Sequence, residues 1–489
     1  MRPGGDPIDV GSRLELFVDT YLVAGMRGGA ALRLHEPVWR EEALVTDRPW
    51  EGNMCNYITV FRDEGKCRMY YQSWHTDFVP DEAGKTQTVH RHPLSIAYAE
   101  STDGIHWQRP VLGQFEFDGT KNNNLVWLGE GPQQYGVHGF APFKDPNPDA
   151  DEDARYKAVG ADMARTKHNL YAMQSRDGIG WQLMSDEPVL REGAFDSQNL
   201  AFWDTQREEY RVYFRDFREG RRDIRTATSK DFVNWTDSVW LKYPSAPDEQ
   251  LYTNQILPYY RAPHIFVGFP TRYVERTWSP AIEALPQLEH RRLRAGVNPR
   301  YGTALTDGLF MSSRDGQTFK RWPEAFLRPG PQQERNWAYG DNYQCWGLLE
   351  TPSDLVGSPF ELSFFATENH WRDDFSVFRR YSIRLDGFVS VGAPLSGGEL
   401  VTKPLVFTGR HLVLNFSTSA AGSLRVALQG GDGTRIEGYS PEDCHELIGD
   451  ELGRVVAWQS GSDLSALAGK PVRLCFELRD ADLYAMRFR

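Results

Sequence analysis

A chain of 489 residues is longer than one ordinary hydrophobic core supports, so two domains are expected unless a large repeat architecture absorbs most of it. A net charge of −12 excludes a broad positive field for nucleic acid, and 40% hydrophobic residues with 44 glycines exclude a disordered chain. Five cysteines without Cys-x-x-Cys spacing suggest no zinc site, redox motif or disulfide framework.

No run is apolar enough to span a bilayer, and residues 1–7 lack the apolar core of a leader. A soluble, cytoplasmic protein without membrane partners is therefore expected. In chain order, residues 14–23 alternate as a strand, followed by strands at 56–62, 67–74 and 94–100. These lead into the turn Ser101-Thr-Asp-Gly-Ile-His-Trp107. The same order recurs. Strands at 140–144, 156–160 and 169–174 precede Ser175-Arg-Asp-Gly-Ile-Gly-Trp181, and strands at 199–203, 209–215 and 223–228 precede Ser229-Lys-Asp-Phe-Val-Asn-Trp235. A fourth unit, with strands at 254–260 and 264–272, carries a polar insertion at about 274–303 before Ser313-Arg-Asp-Gly-Gln-Thr-Phe319. A fifth spans 343–391 without the full turn.

In each turn the Asp can bond neighbouring amides, the Gly can take positive φ, and the aromatic can wedge between adjacent sheets. Five such units predict an all-β, five-bladed β-propeller over residues 1–392, with strand 14–23 closing the last blade and so covering a sheet edge. The even series of short strands at 412–416, 423–428, 455–458 and 472–478 predicts a β-sandwich over 393–489. The insertion reads as loop, with Arg291-Arg-Leu-Arg294 a solvated surface.

In a propeller the first strand of each blade lines the axis, so residues where those strands begin converge on one pocket. The acids there, Glu51, Asp196 and Asp341, are the expected catalytic groups, because glycoside hydrolysis needs one carboxyl to protonate the leaving oxygen and another to attack or activate water. Asn53, Trp74, His138, Asn199, Arg215, Asn254, Arg272 and Glu368 are the expected substrate-binding residues, with the arginines able to fork onto hydroxyls, carboxylates or phosphate. Asp145, heading an acidic loop at 145–153, reads as a solvent-facing hairpin residue, and the loop lacks EF-hand spacing, so no metal and no other cofactor is assigned.

On these turns and this unit count, residues 40–392 resemble the five-bladed glycoside hydrolases of families 32, 43 and 68, and the trailing strands resemble the C-terminal module of family 32. The resemblance implies a carbohydrate substrate and an axial pocket with acids from separate blades. The chain has no Trp-Met-Asn-Asp-Pro-Asn, Arg-Asp-Pro or Glu-Cys motif, so the family's acid roles do not carry over residue by residue. The turns are also similar to sialidase Asp-boxes but lack the residue between Asp and Gly, and a sialidase's arginine triad and nucleophilic Tyr are not assignable from the sequence. The expected function is hydrolysis of a furanoside or related small glycan, with a glycoside phosphorylase or a glycan-binding scaffold as alternatives.

Overall fold

The computed structural model describes residues 6–162, 169–353 and 360–489; most of the segment read for a leader, residues 1–5, lies outside them. The described chain is all-β apart from three short helices and three 3₁₀ turns. It divides into two compact units, one of residues 37–259 and 263–383, the other of residues up to 36, 260–262 and 384–489.

The larger unit holds five four-stranded sheets, numbered I to V. Sheet I is Asn56–Asp63, Lys66–Ser73, Ser95–Ser101 and Leu125–Leu128. Sheet II is His138–Lys144, Tyr156–Ala161, Leu170–Ser175 and Trp181–Leu183, and sheet III is Leu200–Asp204, Glu209–Arg218, Arg221–Ser229 and Val239–Trp240. Sheet IV is Leu257–Tyr259, Ala262–Gly268, Met311–Ser313 and Phe319–Arg321. Sheet V is Leu349–Thr351, Glu361–Glu368 and Val377–Arg384, completed by Val38–Val45 from the N-terminal side. The first strands of I and II, II and III, and V and I touch one another.

Chemistry repeats at the four turns. In each, the Ser hydroxyl accepts the amide at the Gly position (2.9 Å at Gly104, Gly178, Phe232 and Gly316), and one Asp carboxylate oxygen accepts the next two amides. Each turn also meets the preceding sheet. Arg68 and Tyr70 of sheet I donate to the Asp177 and Gly178 carbonyls of turn II (2.7 and 2.8 Å), and Tyr213 of sheet III donates to Gly316 of turn IV (2.8 Å). Turn I lies against sheet V, where a Cβ on Gly104 would stand 3.1 Å from Thr351. Sheets IV and V meet through Phe269 and Phe364, ring centroids 6.0 Å apart.

The glycines are needed twice over. Gly178 and Gly316 have φ of +78° and +74°, and a Cβ there would lie 2.8 Å from the Tyr70 hydroxyl and 2.9 Å from that of Tyr213. Turn III has no glycine because its socket differs. Phe232 accepts φ +69° and packs fully buried against Phe143 of sheet II and Tyr210 of its own sheet, centroids 5.8 and 5.1 Å away. Burying a whole aromatic ring is worth more than the left-handed strain costs.

Three expectations change. Residues 14–23 do not close the ring of sheets: Glu15–Leu16 pairs with Val472–Phe488 and Val23–Gly28 with Gly398–Thr402, in a ten-stranded sheet of the smaller unit. The insertion is helical, with Pro280–Glu283, Leu288–Ala295 and Pro299–Thr303. Within it Arg291 and Arg294 are buried, not solvated, because their guanidinium groups donate to the carbonyls of Pro286, Gly302, Tyr339 and His370. Asp145 is buried too, paired with Lys157 at 2.5 Å and accepting from Tyr210 at 2.6 Å.

The smaller unit is organised on two long strands, Leu412–Gly430 and Val472–Phe488, paired along their length with register breaks at Asn415/Phe416 and Thr418/Ser423. Its core includes Phe17, Phe407, Phe476, Phe488 and Trp458. All five cysteines are free thiols. Among the described residues no helix is long and apolar enough to cross a membrane.

The turn carboxylates supply the first test. Burial alone would raise Asp177, Asp231 and Asp315, but the donated amides, and at Asp231 the Asn234 side chain, hold all three below the usual carboxylate range, Asp231 at about 2. A depressed folded pKa means the contribution is complete above the ordinary pKa of 3.8 and drains as pH falls towards about 2. Asp177→Ala and Asp315→Ala are expected to cost about 1 kcal/mol each in urea unfolding at pH 7, with the difference from the parent shrinking as pH is lowered below 4.

Candidate functional site

Where the first strands of the sheets begin, side chains from all five come together in two layers. The lower layer is an amide relay. Gln255, before sheet IV, donates to the Gln198 side chain, before sheet III, and Gln198 donates to Thr59 Oγ1 (3.0 Å) and the Tyr57 carbonyl (3.2 Å) of sheet I. Gln344, before sheet V, donates to the Phe269 and Leu309 carbonyls. All three glutamines are buried, and the amide groups they donate tie down the strand entries, although Gln344 Oε1 is itself buried without a partner among the described residues. The recurrence of Gln at this place in three units is a sequence signal that reading for acids passes over.

The upper layer is aromatic and cationic. Tyr57, Tyr252, Tyr273, Tyr339, Tyr343 and Trp371 form one cluster, with Tyr252 centred 5.2 Å from Tyr343 and 5.9 Å from Tyr339. Tyr339 donates its hydroxyl to that of Tyr252 at 2.9 Å. Arg215 lies 4.8 Å from the Tyr252 ring centroid, Arg222 lies 5.4 Å from it and 4.3 Å from that of Tyr273, and Arg300 lies 5.2 Å from that of Tyr339. Burial on its own would push the Tyr252 phenol up. Arg215 above all, then the Tyr339 bond and Arg300 and Arg222, outweigh it and bring Tyr252 down to about 8. Tyr57, Tyr339 and Tyr343 move the other way, raised by burial and by one another, so one phenol of the cluster is set apart for ionisation. Buried His370 is held neutral by desolvation and by Arg294 and Arg372.

The three expected acids have separate fates. Glu51 is only 1% exposed; its Oε1 accepts from Tyr71 (2.5 Å) and its Oε2 from Arg109 (2.6 Å) and the Arg48 amide (3.0 Å). Burial raises its carboxyl despite Arg109, yet nothing outside the protein reaches it. Asp341 is fully buried, accepting from the amides of His370 and Ala338 and from Arg372 at 2.6 Å. Both therefore brace backbone around the cluster. Asp196 alone has solvent access, its side chain 49% exposed while it pairs with buried Arg215.

Of the expected binding residues, His138 joins the cluster, its ring 5.7 Å from Tyr57, and Arg215 and Asn254 stand at its edge through Tyr252 and the relay. Asn254 Nδ2 is buried without a partner among the described residues, as are Trp371 Nε1 and His370 Nδ1. The remaining five are engaged elsewhere. Asn53 bonds Thr76 and Asp373, Trp74 stacks on His90 at 4.1 Å, and Asn199 donates to Phe195 and Ser197. Arg272 forks onto Asp307 and reaches Glu249, and Glu368 holds Arg379 at 2.7 Å. Reading strand entries misses Arg222 and Arg300, which come from a third strand and from the insertion. Among the described residues no group of three or more His, Cys, Asp or Glu is placed to hold a metal ion.

No protein-family model and no curated protein matches the sequence. The chain is similar in structure to an N-acetylgalactosamine deacetylase from F. plautii, at 11% identity over 72% of this chain and 94% of that one, with a TM-score of 0.43. It is also similar to a structure described under the GH130 family of mannoside phosphorylases containing hydrolases of β-1,2 mannosidic linkages (13% identity, 75% and 96% covered, TM-score 0.39). A third is an endo-arabinase from Bacteroides thetaiotaomicron (9% identity, 69% and 96% covered, TM-score 0.39).

The bracing role of the buried acids has a direct consequence. Arg109→Ala strands the Glu51 charge and Arg372→Ala that of Asp341, and each is expected to destabilise the protein by about 3–5 kcal/mol, read from the shift of the urea midpoint at unchanged slope.

Proposed function

We propose that this chain is a glycan-acting enzyme on a five-bladed β-propeller, sheets I to V being the blades, with a β-sandwich in the smaller unit. The docking of each turn on the preceding sheet and the contacts of sheets IV and V support the ring; the two long, register-broken strands support the sandwich. The resemblance carried by the turns points to a furanoside or related small glycan as substrate.

The observation that carries the reading is an ionisable phenol, Tyr252, held under Arg215, which also pairs with Asp196, the solvent-reaching member of the three expected acids. A phenolate is a competent nucleophile towards an anomeric carbon, and Arg215 touches both groups. In this mechanism Tyr252 Oη attacks the anomeric carbon as the bond from that carbon to the leaving oxygen breaks, and solvent water gives that oxygen its proton, because the Asp196 carboxylate is held in its ion pair with Arg215. Water then attacks the glycosyl-tyrosine, Asp196 takes the water proton, and the phenolate is released. Asn254, Trp371 and His370 offer unpaired buried polar atoms to sugar hydroxyls. Glu51 and Asp341 keep the frame rigid.

The test is release of reducing sugar from a panel of furanosides, mannosides and uronides. Turnover is expected to rise with pH up to about 8, since the phenolate is the reacting form, and Tyr252→Phe and Asp196→Asn are each expected to lose at least about 100-fold in kcat. A panel wholly uncleaved, with sugars nonetheless bound, would replace this reading with a glycan-binding scaffold.

A further inference from the structure

Buried arginines in this protein are, as a rule, neutralised. Arg68 faces Asp63, Arg109 Glu51, Arg372 Asp341, Arg379 Glu368, and Arg380 both Glu41 and Glu361. Arg291 and Arg294 have backbone carbonyls instead of a carboxylate, whereas Arg222 and Arg300 have neither a carboxylate nor a full set of carbonyls. Neither has a carboxylate partner among the described residues, although both are half-buried and both stand on rings of the tyrosine cluster. Arg222 donates one hydrogen bond, from Nη1 to Gln250 Oε1 at 2.6 Å, and its Nε is buried without a partner. Arg300 Nη1 is likewise buried and unpartnered.

Desolvating a guanidinium without a carboxylate partner is costly, and here two stand on one cluster, Arg222 on the Tyr252 and Tyr273 rings and Arg300 on the Tyr339 ring. Arg215 does not relieve it, since Asp196 already neutralises that side chain. Arg300 itself lines a cavity of about 720 Å³, together with Glu275, Arg276, Trp278, Asn298 and Thr303, which leaves room for a ligand of sugar size on that side of the cluster.

We propose that Arg222 and Arg300 are an anion-binding pair beside Tyr252, so that the ligand of this site presents a carboxylate or a phosphate to their planar forks. The chemistry is shared by two sources, an acidic sugar carrying its own carboxylate and free inorganic phosphate as a co-substrate. This deepens the glycan-acting reading, on which it rests for the identity of the site, but binding of an anion stands apart from turnover. Phosphate in this position would act in place of water on the glycosyl-tyrosine, a phosphate oxygen attacking the anomeric carbon as its bond to Tyr252 Oη breaks, giving a sugar phosphate and releasing the phenolate.

Calorimetric titration of the full chain at low salt with inorganic phosphate, D-glucuronate and D-glucose separates the outcomes. At least one anion is expected to bind 10-fold or more tightly than glucose, with Arg222→Gln and Arg300→Gln each weakening it 10-fold or more. Selective phosphate binding together with phosphate-dependent glycan cleavage assigns the co-substrate; selective glucuronate binding assigns an acidic sugar. Equal, weak binding of all three to the parent overturns the proposal without recourse to any variant. So does unchanged anion binding by both variants when their thermal unfolding matches the parent's. Anion binding without turnover on any glycan leaves the pair standing and removes the enzymatic reading instead.

Discussion

The close approach of a tyrosine hydroxyl to a glycine carbonyl on the next sheet is the contact on which the larger unit depends. Tyr70 to Gly178 and Tyr213 to Gly316 have the same length and arise from the same local sequence, Arg68-Met-Tyr70 and Arg211-Val-Tyr213. The contact demands a residue without a Cβ on one side and a long polar aromatic on the other, so two sheets specify each other. Where sheet II offers Lys157-Ala-Val159 in place of Arg-x-Tyr, the facing turn drops its glycine for Phe232. The apparent defect in the third repeat is thus a matched change of hydrogen bond for buried ring.

Once the sheets are fixed, the electrostatics of their convergence follow. Charges placed early in the framework cancel: Glu51 with Arg109, Asp341 with Arg372, Asp196 with Arg215. What survives is positive, and it falls on a cluster of phenols in which one shares a hydrogen bond with another. The glutamine bonds among the strand entries keep that field from being relaxed by rearrangement of the backbone. The same field that lowers Tyr252 makes the neighbourhood hospitable to negative charge generally, whether it develops on the protein or arrives on a ligand.

The turns were legible from the sequence because their chemistry is local: Ser, Asp and a positive-φ residue within four positions dictate the same hydrogen bonds in every copy. Acids at strand entries were equally visible, but not their partners. Arg109 is separated from Glu51 by a sheet's worth of chain and Arg372 from Asp341 by a strand, and no spacing rule distinguishes a paired carboxylate from a free one. The insertion was misread for a related reason. Arg291 and Arg294 look solvated by composition, whereas in place their forks donate to five carbonyls, most of which only tertiary structure brings near. Nothing local marks out Tyr252, since its distinction depends on Arg215 above all, and then on Tyr339, Arg300 and Arg222, all from other segments.

Sheet V carries a consequence for biosynthesis. Its fourth strand, Val38–Val45, is made before the strands of sheets I to IV, yet the strand it pairs with, Val377–Arg384, is made after all of them. During translation the early strand has an open edge and no sheet to join, while sheets I to IV become available in turn. Such an edge is a template for mispairing with another nascent chain. Its sequence is suited to the wait: Arg40, Glu41 and Glu42 place three consecutive charges on the strand, and in the finished sheet Glu41 is claimed by Arg380 and Glu42 by Arg379. The charges that keep the strand solitary early are the ones that recognise its proper neighbour late.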